Sequence, residues 1–150
     1  MIGLSQDPFD PGALLSAFCA GRHEVGAVAS FTGLARSEAG GTQTLELEAY
    51  PGFTEREIGR IAEEAKARFG LDDLAIRHRV GRIAPGEAIV FVATAARHRR
   101  AAFEACDFLM DYLKSRAPFW KKAHGPDGAR WIEPRPEDHA DVARWDEKER

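Results

Sequence analysis

An α+β fold, mainly antiparallel strands with two substantial helices packed on them, follows from three features of this 150-residue sequence. Short apolar or alternating runs such as Thr44–Tyr50 and Ala88–Ala95 recur between turn signals and read as strands. Two longer segments, opening near Thr54 and near Arg97, carry apolar residues at helical spacing. No repeat and no internal linker divides the chain. One domain is therefore expected over residues 1–150, with a charged, loosely packed tail over 134–150, except around Trp145.

Taken in order, a short helix is expected over Gly12–Ala20, stopped by Gly21. Glu24–Leu34 is rich in small and β-branched residues and reads as a strand. Ser37–Thr42, containing Gly40-Gly41, reads as a flexible loop. Thr44–Tyr50 alternates Leu45, Leu47 and Ala49 with Glu46 and Glu48, the pattern of a strand with one wet face. Pro51-Gly52 breaks it. A helix then opens with the signature of a capping box, Thr54 and Glu57, flanked by Phe53 and Ile58 at the spacing of a hydrophobic staple. Ile58, Ile61, Ala62, Ala65 and Phe69 form its apolar stripe, and Gly70 is a natural stop.

Leu74–Ile83 and Ala88–Ala95 read as two strands joined across Ala84-Pro85-Gly86-Glu87. The second long helix spans about Arg97–Arg116 and ends at Pro118. Phe119–Ala123 and Arg130–Glu133 are extended pieces around the turn Gly125-Pro126-Asp127-Gly128.

The formal net charge of -3 argues against a broad nucleic-acid surface, which needs many unbalanced cations. No apolar run approaches the ~20 residues of a membrane span, and Met1–Pro11 lacks the pattern of a signal peptide. Cys19 and Cys106 lie in apolar helical patterns and read as buried free thiols, which fits a reducing, cytoplasmic setting.

Arg97-His98-Arg99-Arg100 puts cations at the helix end where the macrodipole is already positive, which disfavours each by ~0.3–1 kcal/mol. Either these side chains reach into solvent or pair with carboxylates, or they converge with free backbone N–H groups on a phosphate. At about 100° per residue, Lys114 falls roughly 20° from Phe103 and 40° from Met110, at the edge of the apolar stripe. An ion pair with Asp111 or Asp107 is its bland explanation. Lys121 shares a strand side with Phe119, while Trp120 and Lys122 point the other way. A lysine among aromatics is a usable nucleophile or base once its ammonium is partly desolvated.

The other candidates carry less. Cys106 reads as an inert core thiol and His78 as a hydrogen-bonded, half-buried histidine beside Leu74, Ile76 and Val80. His23, His124 and His139 lack ligand spacing. The sequence contains no metal-site motif and no glycine-rich phosphate loop.

The segments FTGLAR (Phe31–Arg36), LELEAYPGFTE (Leu45–Glu55), HRVGRIAPGEAIVFV (His78–Val92), HRRAAFEACDFLMDYLKSRAPFWKK (His98–Lys122) and RWIE (Arg130–Glu133) closely resemble the large subunit of molybdopterin synthases. They keep that family's order and spacing, and YLKSRAPFWKK is the most specific of them. The resemblance implies a hammerhead-like α/β arrangement and a sulfurtransferase that builds a dithiolene on a phosphorylated cyclic pyranopterin. It implies that the sulfur arrives as a thiocarboxylate on the C-terminal Gly-Gly tail of a small ubiquitin-fold carrier subunit. A heterotetramer around a homodimer is implied as well, with no resident cofactor and no metal in the reaction.

Lys114 and Lys121 match the family's catalytic lysines. Arg36, His98 and Arg99 match its pterin- or phosphate-binding positions, with Lys122, Leu34, Ala35 and Ala123 as further implied substrate contacts, some of them serving a neighbouring protomer. Leu34 stands where relatives often carry lysine, and Ala123 where they often carry an acid, so the fine contacts of the pocket depart from the family pattern.

Two other functions compete with this one. A non-catalytic module binding a ubiquitin-like carrier would bind it without making product, and joint retention of Lys114, Lys121, Arg36, His98 and Arg99 opposes it. A nucleotide- or phosphate-binding regulatory domain would use Arg97–Arg100, but it lacks a phosphate loop. Trp120 and Trp131 exceed what a core needs and are candidates for an interface.

Overall fold

The computed structural model describes residues 1–36, 44–126, 128–132 and 136–147. In chain order the elements are β1 (Ile2–Ser5), α1 (Pro11–Cys19), β2 (Ala27–Leu34), β3 (Thr44–Ala49), α2 (Phe53–Phe69) and β4 (Asp73–Arg79). They continue as β5 (Gly81–Ile83), β6 (Ala88–Ala96), α3 (Arg99–Ser115), β7 (Phe119–Gly125), β8 (Gly128–Ile132) and α4 (Pro136–Glu147). This is the α+β arrangement expected. The predicted loop at Ser37–Thr42, with Asp127 and Glu133, lies outside the described residues.

The apolar run of β6 dictates the first sheet. Nearly all of Ala88–Ala96 is buried, so β6 takes a central place and pairs antiparallel with β4 and β2. The order is β1-β4-β6-β2, and β1, which carries no strand signal of its own, joins in parallel to β4 from Ile2↔Ile76 to Ser5↔Arg79. The second sheet, β5-β3-β7-β8, is antiparallel throughout.

The run Leu74–Ile83, expected as one strand, is two. After Val80 the chain turns at Gly81, whose φ of 83° is costly for any residue with a Cβ, and β5 leaves β4 to pair with β3 in the other sheet. The chain thus crosses between sheets beside His78, one residue before the end of β4.

Helix α2 buries Ile58, Ile61, Ala62 and Ala65, and Gly70 closes it in the left-handed region with its N–H donating to the Lys66 carbonyl. Its start corrects the capping-box expectation. Gly52 holds the N-cap position and no side chain caps the helix. Thr54, fully buried, instead accepts from the Tyr50 N–H and donates to the Pro118 carbonyl, each at 2.8 Å. Glu57 pairs with Arg60, and Phe53 is 48% exposed and so offers no staple. The Tyr50 N–H takes the hydroxyl as acceptor in place of a first-turn amide, while the hydroxyl's own proton goes to a carbonyl 64 residues away.

Helix α3 packs on β6, β2, α2 and α4. Within the charged tail, Pro136–Glu147 forms α4, held by one aromatic anchor. Trp145 is 1% exposed, packs edge-on against Phe69 and Phe108, and donates its indole N–H to Asp111 at 2.6 Å. That single anchor outweighs the tail's polar composition. Cys106 is buried as expected, whereas Cys19, at the last position of α1, is exposed. Among the described residues no helix is long and apolar enough to cross a membrane.

Candidate active site

A cleft of about 690 Å³ lies between the two sheets at the C-terminal end of α3. Strands β2, β4 and β6 of the first sheet line it, as do β3, β7 and β8 of the second, and this is where the expected lysines meet. Lys114 enters from the last turn of α3, together with Met110 and Leu113. Lys121 enters from β7, because strand alternation turns Phe119, Lys121 and Ala123 into the cleft.

The outer side of β7 is a different surface. There Trp120 stands edge-on to Trp131 with ring centroids 5.7 Å apart, and the Lys122 ammonium lies 4.9 Å from the Trp131 ring centroid.

Leu34, Ala35 and Arg36 reach the cleft where β2 ends, just past an irregularity in its pairing with β6. Gly33 belongs here because a Cβ on it would stand 2.9 Å from Val90 Cγ1. Arg36, Lys114 and Lys121 thus put three cationic side chains on one cavity, against one lining carboxylate among the described residues, Asp138 of α4. Such a balance favours an anionic ligand.

The bland explanation of Lys114 fails on geometry. Arg144 of α4 takes both carboxylates at helical spacing from it, Asp111 at 2.6 Å and Asp107 at 2.7 Å. Among the described residues no ion pair includes Lys114, and its exposed side chain borders the cleft.

His98, Arg99 and Lys122 are not among the cleft-lining residues. His98 is the N-cap of α3 and makes no capping hydrogen bond through its side chain, and Arg99 follows it. Fifteen residues of helix, about 22 Å, separate Arg99 from Lys114. Within one chain these two groups cannot close on one small ligand. Residues 97–100 are all exposed, and no ion pair among the described residues holds any of them.

One cleft residue escaped the sequence reading. His78, 7% exposed, lines the cavity, stacks on Phe119 at 4.2 Å and places Nδ1 2.8 Å from the Arg79 carbonyl oxygen. Burial above all, and then the charges of Lys114 and Lys121, push its pKa down to about 4. The residues that share its strand face, Leu74, Ile76 and Val80, are apolar, so the sequence presented it as a hydrogen-bonded, half-buried histidine with no further part. Its contact with Phe119, 41 residues on, left no local signal.

Two sheets meeting at a cationic cleft, with an amine on each wall, define an α+β protein whose cleft has the charge that suits a small anionic ligand. The sequence profile of the MoaE protein family matches residues 4–116, and the chain belongs to that family. It is 67% identical over 148 residues to the molybdopterin synthase catalytic subunit of Caulobacter vibrioides, a match covering 99% of each sequence. The Pseudomonas aeruginosa protein of the same name is 50% identical over 148 residues, covering 97% of this chain and 99% of that one. The solved structure of the molybdopterin biosynthesis MoaE protein from Burkholderia ambifaria superimposes with a TM-score of 0.83 at 48% identity, covering 97% of both chains.

Proposed function

We propose that the chain, read as one domain, is the catalytic subunit of a molybdopterin synthase. It transfers sulfur from the C-terminal thiocarboxylate of a small ubiquitin-like carrier to cyclic pyranopterin monophosphate, forming the dithiolene of molybdopterin. The observation that carries this reading is the meeting of Lys114 and Lys121, from different elements, in one cleft that also takes Arg36.

Each wall of the cleft has a part in the chemistry. Arg36 holds the phosphate by charge-assisted hydrogen bonds, with Leu34, Ala35 and Ala123 shaping the pocket beside it. One lysine assists opening of the cyclic phosphate or a proton transfer at the pterin side chain. The other steadies the negative charge as the thiocarboxylate sulfur forms its bond to a pterin side-chain carbon and that carbon's C–O bond breaks, the oxygen leaving as water or with the opened phosphate. Water then cleaves the carrier's acyl–sulfur bond and restores the carrier carboxylate. Two such transfers complete the dithiolene.

His98 and Arg99, some 22 Å of helix from Lys114, fit a neighbouring protomer's cleft better than their own. That supports a homodimer within a heterotetramer. The exposed aromatic face of Tyr50, Trp120 and Trp131, with Lys122, has the composition of an interface. A cytoplasmic location accords with the free thiols.

The test is reconstitution with thiocarboxylated carrier and cyclic pyranopterin monophosphate, following the oxidised product by fluorescence. Product that disappears in folded, carrier-bound Lys114→Ala and Lys121→Ala proteins is the expected result, and Lys114→Ala is the more damaging of the two. A confirmed carrier complex that yields no product refutes the reading and leaves a binding module.

A further inference from the structure

His78 lines the cleft, but the roles assigned above leave it without a part. Three contacts fix its state. Its Nδ1 lies 2.8 Å from the Arg79 carbonyl oxygen, which only accepts, so Nδ1 carries the proton and Nε2 carries a lone pair. Its ring is stacked on Phe119 at 4.2 Å and 18°, which fixes the plane in which that lone pair lies. Lys114 and Lys121 share the cavity with it and disfavour a second proton on the ring.

The result is a neutral acceptor in a cleft whose charged side chains, among the described residues, are Arg36, Lys114, Lys121 and Asp138. The three cations serve the anionic part of a ligand. An acceptor serves a part that carries hydrogen, and one locked in tautomer and plane reads the direction of that N–H as well as its presence.

Resting on the synthase reading, we propose that His78 is a substrate-binding residue. Its Nε2 accepts a hydrogen bond from a ring N–H of the substrate's heterocycle and orients that ring against the two lysines. The phosphate end and the heterocycle end are thereby held by different chemistry, and the reacting carbons between them are placed without help from a mobile side chain.

Two variants separate this role from a structural one. In the full chain with its carrier, His78→Asn keeps a donor for the Arg79 carbonyl but has no atom at the Nε2 position. His78→Gln places an acceptor near that position and surrenders the Arg79 contact. The expected result is that H78N weakens binding of cyclic pyranopterin monophosphate about tenfold, as for one lost hydrogen bond. H78Q should stay within about threefold of wild type, and kcat should change less than the dissociation constant in both.

Equal affinity of H78N and wild type overturns the proposal, as does rescue by Asn but not Gln, or a loss confined to kcat. Nitrogen NMR of the wild-type imidazole needs no variant. The unprotonated Nε2 resonance should move upfield when the pterin is added, and an unmoved resonance overturns the proposal. Wild-type protein that binds the pterin but forms no dithiolene refutes the synthase reading. Wild-type product with an unmoved Nε2 resonance refutes the His78 assignment alone.

Discussion

Arg144 holds the Asp111 carboxylate at 2.6 Å and so withdraws from Lys114, three residues on, the partner that helical spacing offers it. The same carboxylate oxygen accepts from the Trp145 indole N–H, so one acid both docks α4 and leaves a lysine to the cleft. Asp111→Ala should therefore cost about 2–3 kcal/mol, because a buried indole donor and a half-exposed guanidinium lose their acceptor together. Chemical denaturation should show the midpoint falling at unchanged slope. A shift below about 0.5 kcal/mol would mean that α4 is held by other contacts.

Thr54 makes a second prediction. It spans from the Tyr50 amide to the Pro118 carbonyl, in the link that joins Lys114 on α3 to Lys121 on β7. Thr54→Val keeps the shape, loses both bonds and should destabilise by about 2 kcal/mol. Turnover should fall further than stability, since the spacing of the lysines loosens. Glu57→Ala, at the other position of the apparent capping box, should lie within about 0.5 kcal/mol of wild type. Equal losses in the two variants would restore the cap.

His78 predicts a pH dependence. Its folded pKa of about 4 lies below the ordinary value of 6.5. Above pH 6.5 both folded and unfolded chains keep the ring neutral, and it contributes no slope. As pH falls from 6.5 to 4, the unfolded chain takes up a proton that the folded chain refuses, so stability declines, by up to about 3 kcal/mol in all. Below pH 4 both states are protonated and this contribution is constant. Unfolding curves between pH 7 and 4 should show that decline in wild type and a flatter course in His78→Gln. Parallel courses would show that the ring titrates alike in both states.

The cysteines separate by reactivity. Cys106 is buried, and burial together with Asp107 pushes its thiol up to about 11, while Cys19 is exposed. Iodoacetamide at pH 8 should label Cys19 in the native protein and reach Cys106 only after denaturation, as intact mass would report. Native labelling of Cys106 would contradict its place in the core.

Much of this was legible in the sequence because periodicity is local. The stripe of α2, the stop at Gly70 and the alternation of β7 that parts Lys121 from Lys122 are all written within a few residues. What escaped depends on partners far away in the chain. β1 is four residues long and has meaning only beside β4. Thr54 looked like a cap because Pro118 is invisible at that range, and although Trp145 could be singled out in the tail, its acceptor Asp111, 34 residues away, could not. The site divided in the same way. Lys114 and Lys121 could be named from short motifs, whereas His78 required knowing which strand ends beside Phe119.

The cleft is also the seam between two sheets, with Lys114 on a helix packed against one and Lys121 on a strand of the other. A ligand gripped by both amines is a non-covalent crosslink across that seam. Parting the walls and releasing the ligand then become one event. Residence time in the cleft and protection of the seam's amides from hydrogen exchange should lengthen together, and the walls stabilise as a unit in proportion to occupancy.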